Sequence, residues 1–124
     1  MIVKEGMMSV QFISGIIDIA FGIFHVFFWK LFDWPDSLAP SGRINEGVTQ
    51  ILNIMLSYVF FVAGCALIAG GEASGDQVAL AASGFWLIRL GLQPVFFDWR
   101  DQRSIALMIL FATAFVSHVA IVVR

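Results

Sequence analysis

The stretch that decides the fold is Gly84–Phe97, GFWLIRLGLQPVFF, a strongly apolar run with one arginine, Arg89, near its middle. It lies within a longer apolar segment of about 20 residues, which as a helix is long enough to cross the ~30 Å hydrocarbon core of a bilayer. Arg89 would then lie close to the midplane, where a charge costs roughly 2.5–3.5 kcal/mol on insertion scales. We therefore expect Arg89 to face the protein interior or a wet cavity and to need polar partners from other helices.

The composition of the whole chain also indicates a membrane protein. Of its 124 residues, 60% are hydrophobic and only 13% are charged, whereas a soluble domain usually has about 25% charged residues. So few charges cannot cover a surface exposed to water, so we expect the lipid bilayer to surround the protein. A net charge of −2 offers no basic surface for nucleic acid. The single cysteine, Cys65, cannot form an intramolecular disulfide and is taken as a packing residue.

The apolar runs predict an all-α protein that crosses the membrane several times. The connections between the runs are short, which predicts an up-down-up-down bundle in one transmembrane domain over residues 1–124. Open β structure is excluded, because lipid cannot satisfy the edge of a sheet. The four predicted transmembrane helices span residues 9–32, 47–69, 77–98 and 103–123.

Local signals place the ends of these helices. Ser9 and Asn45 are candidate N-caps for the first and second helices, and residues 74–77 have the capping-box pattern that predicts the start of the third. Pro35 prevents the first helix from continuing, and Pro94 is expected to kink the third.

Polar side chains of the first three helices can converge in one layer of the membrane. By helical periodicity and depth, they form a network open toward the side of the first and third loops. We expect Asp18 and Arg89 to form an ion pair, because they are the two charges in the middle of predicted spans. Asn53 and Gln93 could accept from the remaining guanidinium donors. The candidate ligand-binding network is Asp18, His25, Gln50, Asn53, Trp86, Arg89 and Gln93.

Buried polar groups also hold membrane helices together without any ligand. This structural interpretation is favoured for Gln50, Asn53 and Ser57. A binding or transport role is favoured for Asp18, His25 and Arg89, because charges cost more than helix association requires. Several glycines are expected to allow close approach of helices: Gly15, Gly22, Gly64, Gly84 and Gly91.

The second histidine, His118, is expected to lie apart from this network. Its position near the end of the fourth helix places it about 15 Å from His25 in depth, too far for a shared metal or haem iron. We therefore predict that His118 lies at the membrane interface or at a contact between subunits. The sequence has no metal-ligand spacing and no nucleotide-binding or hydrolase motif, so neither a metal nor a cofactor is predicted.

The distribution of basic residues predicts the orientation. Lys30, Arg43, Arg100 and Arg103 flank the first and third loops, whereas Lys4 and Arg124 lie on the side of the termini. Under the positive-inside rule, the first and third loops are cytoplasmic and both termini are outside, in a multi-pass protein of the cell (inner) membrane.

Three short phrases resemble a group of small, uncharacterised bacterial four-helix membrane proteins. They are HVFFW at 25–29, Leu52-Asn53, and FWxxRxxxQPxFF at 85–97. The resemblance implies a four-helix membrane fold and carries no assigned activity.

These patterns favour a binding role. The ligand would be an amphipathic lipid, isoprenoid or quinone, with its head group on Arg89 and His25 and its tail among Phe27, Phe28, Trp86 and Phe96. Three alternatives stay open. The protein could be an accessory subunit of a larger membrane complex, or a proton-coupled carrier or channel acting as an oligomer, with Asp18 and His25 titrating. An enzyme with these two residues as acid and base is the least favoured, because no catalytic motif is recognisable.

Overall fold

We describe residues 2–123 in a computed structural model, apart from the side chains of residues 2–4 and 7. The architecture is all-α, and no strand occurs within residues 2–123. The elements are α1 (Ile2–Val26), α2 (Phe28–Leu31), a 3₁₀ helix (Asp36–Ser41), α3 (Arg43–Ala69), α4 (Glu72–Phe96) and α5 (Gln102–Val122).

The predicted four-helix membrane bundle is confirmed. Four helical segments are long and apolar enough to cross a bilayer: Met8–Val26, Arg43–Ala69, Glu72–Phe96 and Gln102–Val122. Helix α1 packs along α3, α4 packs along α5, and α1 also contacts α5, whereas α3 and α4 meet more sparsely. Large apolar side chains such as Ile88 and Val95 are exposed on the outside of the bundle, as expected for a protein that lipid surrounds.

The three predicted cap positions were wrong. Ser9 lies inside α1, where its hydroxyl donates to the carbonyl of Glu5, and Ser74 lies in the first turn of α4 and donates to that of Gly71. Helix α3 begins at Arg43, directly after Gly42, whose φ of +91° favours glycine. Asn45 therefore lies within the helix. Helices α1, α3 and α4 begin several residues before the predicted spans, because polar residues continue them at their N-terminal ends.

The first predicted span, 9–32, is interrupted. Helix α1 ends at Val26 and α2 begins at Phe28, and the side chain of Asn53 on α3 donates to the carbonyl of His25 at 2.8 Å. Just beyond the break, the indole Nε1 of Trp29 donates to Gln50 at 2.9 Å. Two amides of α3 thus satisfy groups on either side of the break. The proline predicted to kink the third helix, Pro94, instead stands in the last turn of α4.

The backbones of two helices approach each other closely at Gly15 of α1 and Gly64 of α3. A Cβ atom on Gly64 would lie 2.6 Å from the carbonyl oxygen of Gly15, and one on Gly15 would lie 2.8 Å from that of Gly64. Here only hydrogen side chains let the two backbones meet. A Cβ on Gly84 or Gly91 would meet nothing within 4 Å, so the expectation that these two allow helix packing was wrong.

Replacing Gly64 with alanine should therefore destabilise the bundle, whereas Gly91→Ala should not. The added methyl of Gly64→Ala has to push α1 away, and overpacking of this kind typically costs about 1–3 kcal/mol. Thermal unfolding of the detergent-purified variants, followed by circular dichroism, measures the difference. Equal midpoints for the two variants would contradict the contact.

Candidate functional site

The centre of the bundle holds a buried pair of ionisable side chains, Asp18 on α1 and His118 on α5. Their exposed fractions are 1% and 0%. The Nε2 atom of His118 lies 3.0 Å from one carboxyl oxygen, Oδ2, of Asp18. The other oxygen, Oδ1, accepts a long hydrogen bond of 3.3 Å from the indole Nε1 of Trp86 on α4. One carboxyl group therefore joins three of the four long helices.

The hydrogen bonds fix how many protons this pair holds. The Nδ1 atom of His118 lies 2.7 Å from the carbonyl oxygen of Ala114, which can only accept, so Nδ1 carries a proton. A single further proton then lies between Nε2 of His118 and Oδ2 of Asp18. Whichever of the two atoms holds it, the pair as a whole has no net charge. Such neutrality suits a site that water does not reach.

Two predictions about these residues were wrong. Asp18 does not form an ion pair with Arg89, because its oxygens bind His118 and Trp86. His118 is not an interfacial residue, because it is fully buried. The reason is the direction of the side chains: Cα–Cβ bonds tilt toward the N-terminus of their own helix. Helices α1 and α5 are antiparallel, so the side chains of Asp18 and His118 lean toward each other. They can therefore meet although their Cα atoms lie at different depths in the membrane.

Arg89 lies instead in an aromatic environment. Its guanidinium carbon is 4.4 Å from the centre of the Phe111 ring on α5, a cation–π distance. The side chain is half-buried and lines a cavity with a volume of about 530 Å³. All four long helices contribute to this cavity, which extends from the middle of the bundle toward the loop between α4 and α5.

The walls of this cavity are largely aromatic, and we call it the aromatic cavity. At its inner end, the Phe60 and Trp86 rings stack 5.5 Å apart, and the Trp86 and Phe111 rings 5.8 Å apart. At its outer end lie the charged residues Asp98, Asp101 and Arg103. The other lining residues are Phe21, Phe24, His25, Phe28, Phe32, Leu56, Phe85, Arg89, Gln93, Phe97, Ser104 and Leu107.

Two further polar residues predicted for the site do lie in this cavity. The Nδ1 atom of His25 is 2.7 Å from the carbonyl oxygen of Phe21, so it donates there, and Nε2 is the other polar atom of the ring. Gln93 is 1% exposed, and its Nε2 donates to the hydroxyl of Ser104 at 3.0 Å. The Oε1 atom of Gln93 is buried without a hydrogen-bond partner among the described residues. An orphaned acceptor of this kind requires explanation, because buried polar atoms are normally paired.

The remaining members of the predicted network lie elsewhere. Gln50 and Asn53 bind Trp29 and the carbonyl of His25, at the break after α1, and neither lines the aromatic cavity. This placement matches the structural interpretation of the two amides. Trp86 connects the two centres, since its indole donates to Asp18 while its ring lines the cavity. The structure thus brings His25, Trp86, Arg89 and Gln93 together and places Asp18 behind Trp86.

Three residues of the site were missed from the sequence: His118, Ser104 and Phe111. A histidine can share a proton with a buried carboxyl group, so the need to neutralise Asp18 pointed to a histidine, but the sequence does not distinguish His118 from His25. Ser104 and Phe111 give no such signal. In the part of the chain described, no group of three or more His, Cys, Asp or Glu side chains is placed to hold a metal ion.

Comparison with known proteins gives no family for this chain. No protein-family model, curated protein or solved structure matches it. Its function therefore has to be inferred from the geometry of the site.

The proton-sharing pair predicts a specific pattern of stability. Asp18→Leu leaves the buried polar atoms of Trp86 and His118 without their partner and should lower the free energy of unfolding by roughly 3–5 kcal/mol. Asp18→Asn should cost much less, because an amide can accept from Trp86 and donate to a neutral His118. Unfolding titrations with sodium dodecyl sulfate measure both variants.

A double-mutant cycle provides the control for this pattern. His118→Leu alone should also destabilise the protein, whereas Asp18→Leu combined with His118→Leu should cost clearly less than the sum of the two. Strict additivity would mean that the two side chains do not interact.

Proposed function

We propose that the aromatic cavity binds an amphipathic, lipid-like molecule, with an anionic or carbonyl head group on Arg89. The observation that supports the proposal is the set of contacts that Arg89 makes. Its guanidinium group faces a cavity inside a membrane span, and among the described residues it has an aromatic partner but no carboxylate within ion-pair distance. A charge in that position is costly, and an acceptor group on a ligand would compensate it.

The chemistry of arginine narrows the head group. Phe111 contacts the guanidinium as a π-system, so the contact uses none of the five N–H donors as a conventional hydrogen bond. These donors form a planar fork that matches the paired oxygens of a carboxylate or phosphate, and it can also bind the carbonyl oxygen of a quinone. A head group with one or more acceptor oxygens fits this side of the cavity.

Gln93 and His25 add a second requirement. The orphaned oxygen of Gln93 would accept a hydrogen bond from an O–H or N–H group of the ligand. The His25 ring, with its Nδ1 proton committed to Phe21, would present Nε2 to the same ligand. A hydroxylated head group, or one that carries an amide, would satisfy both residues together with Arg89.

The walls suit the apolar part of such a molecule. Phe28 and Trp86 line the cavity as expected, whereas Phe27 and Phe96 lie outside it, 53% and 74% exposed, and are no longer candidates for the tail. A volume of about 530 Å³ lies within the usual range of small-molecule sites, roughly 300–1,000 Å³. Aromatic side chains bind both rings and hydrocarbon chains through their large apolar faces.

Arg89→Gln should release the ligand and leave the fold intact. Glutamine keeps hydrogen-bonding capacity but removes the charge and the planar fork, so we expect at least a tenfold loss of retained ligand. Arg100→Gln is the matched control, because Arg100 is an exposed loop residue outside the cavity that contacts Trp99. Native mass spectrometry of gently purified protein, followed by extraction and identification of co-purified molecules, measures retention.

Three results would contradict the proposal. The first is that wild-type protein carries no small molecule, and the second is that Arg89→Gln and Arg100→Gln retain it equally. The third is that Arg89→Gln releases a partner protein instead of a small molecule, which would favour the accessory-subunit role. Circular dichroism of both variants should show the wild-type helix content.

We further propose that the protein lies in the inner membrane with the loop between α4 and α5 in the cytoplasm. The support is the excess of basic residues at that end of the bundle, where the aromatic cavity also has its charged outer end. The ligand would then approach from the cytoplasmic side.

Fusions to the C-terminus test this orientation. An alkaline phosphatase fusion should be active, and a green fluorescent protein fusion should be dark, because the C-terminus is expected outside. The same reporters inserted between α4 and α5 should give the reverse result. Bright fluorescence from the C-terminal fusion would invert the orientation.

A further inference from the structure

A second cavity lies along the side of the bundle, between α3 and α4. It has a volume of about 440 Å³, and we call it the α3–α4 groove. It occupies the half of the bundle away from the aromatic cavity, where α3 and α4 meet only sparsely. Its lining residues are Asp18, Tyr58, Val59, Phe60, Val62, Ala63, Ala66, Val78, Ala81, Ala82, Phe85 and Trp86.

The groove offers almost no polar group to an occupant. Asp18 lies at its floor, but both carboxyl oxygens are already bound, by His118 and Trp86, and the residue is 1% exposed. The groove is open at its side, because Tyr58 and Val59 are 62% and 51% exposed. A hydrocarbon chain is the chemistry that such a surface accepts within a bilayer.

The groove and the aromatic cavity share one wall. Phe60, Phe85 and Trp86 line both of them. Phe60 and Trp86 are buried and stacked, whereas Phe85 is 37% exposed and meets the Phe60 ring edge-on at 5.4 Å. Phe85 is therefore the least buried member of this wall, and its outward rotation would cost the least packing.

We propose that the α3–α4 groove holds the hydrocarbon chain of the same molecule whose head group binds Arg89, which makes the ligand a long single-chain amphiphile. The chain would pass Phe85 and lie along the alanines of the groove. From Arg89 to Val78 is eleven residues of α4, about 16 Å at 1.5 Å per residue, so a long acyl or isoprenoid chain is needed to fill it. This inference rests on the proposed function of the aromatic cavity.

The fit of one chain follows from the shape of the two spaces. All four long helices line the head-group cavity, and the groove lies on the other side of the shared wall, mainly between α3 and α4. A second chain on the same head group would find no further passage through this wall, because the Phe60 and Trp86 rings are buried and stacked. The ligand class is therefore a single-chain acyl or prenyl amphiphile, and not a two-chain phospholipid. Its head group carries an acceptor oxygen for Arg89 and an O–H or N–H donor for Gln93 and His25.

Photo-crosslinking in nanodiscs tests where the chain lies. The probe is 2-hydroxyhexadecanoate with a diazirine near the end of its chain, and 2-hydroxyoctanoate with a terminal diazirine serves as the short comparison. We expect the long probe to label α3 and α4 residues of the groove, such as Ala63, Ala66 and Val78. The short probe should label the wall of the aromatic cavity instead.

The substitution Ala63→Phe should fill the groove with a large side chain. Its control is Ala69→Phe, because Ala69 is exposed on the same helix and lines neither cavity. We expect Ala63→Phe to reduce labelling of the groove by the long probe at least fivefold and to leave labelling by the short probe unchanged. Ala69→Phe should leave both unchanged. Circular dichroism should show that both variants keep the wild-type helix content.

The outcomes separate the two proposals. If the long probe labels outward residues such as Leu87 and Val95, or if Ala63→Phe has no more effect than Ala69→Phe, the groove does not hold the chain. Suppose that one of these two results is found and that Arg89→Gln nevertheless abolishes binding of both probes. The head-group site then stands, although this inference fails. If neither probe labels either cavity in the wild-type protein, the proposed function and this inference fail together.

Discussion

The neutralisation of Asp18 is the constraint on which the rest of the structure depends. A carboxyl group at 1% exposure in the middle of a membrane bundle cannot stay as an unpaired charge. Sharing a proton with His118 removes the net charge, and the indole of Trp86 satisfies the second oxygen. This arrangement fixes α1 against α5 and holds the Trp86 ring in the core.

The pairing of Asp18 with His118 leaves Arg89 without an acidic counter-ion among the residues described. If Asp18 had been its partner, the charges would have cancelled and the aromatic cavity would be a sealed polar core. Instead, the guanidinium lies against Phe111 in a space of about 530 Å³ that also contains His25 and the orphaned oxygen of Gln93. The polar atoms of Asp18 and His118 are thus paired, whereas the aromatic cavity holds a guanidinium group and an amide oxygen that a ligand could pair. The proposed binding of a head group rests on this difference.

The two amides of α3 show how a polar residue can be structural in the same layer of the membrane. Asn53 and Gln50 form hydrogen bonds at the break after α1, with the carbonyl of His25 and the indole of Trp29. Helix ends within lipid need such side chains, because no water is present to replace them. These amides differ from Gln93 because each forms a hydrogen bond that joins α3 to the neighbouring segment, while Gln93 keeps a buried oxygen unpaired beside a cavity.

The sequence by itself determined the four membrane-spanning helices, because the length and hydrophobicity of a segment are local properties that decide whether it can cross the bilayer. From helical periodicity and depth, the sequence predicted one network of seven residues, and four of them, His25, Trp86, Arg89 and Gln93, line the aromatic cavity. Only the tertiary structure decided which residue neutralises Asp18. That choice depends on the rotation of each helix and on the tilt of its side chains, which shift contacts by several ångströms and have no signature along the chain. For the same reason, the sequence did not show that Arg89, the charge in the deciding stretch, has Phe111 and no carboxylate as its partner among the described residues.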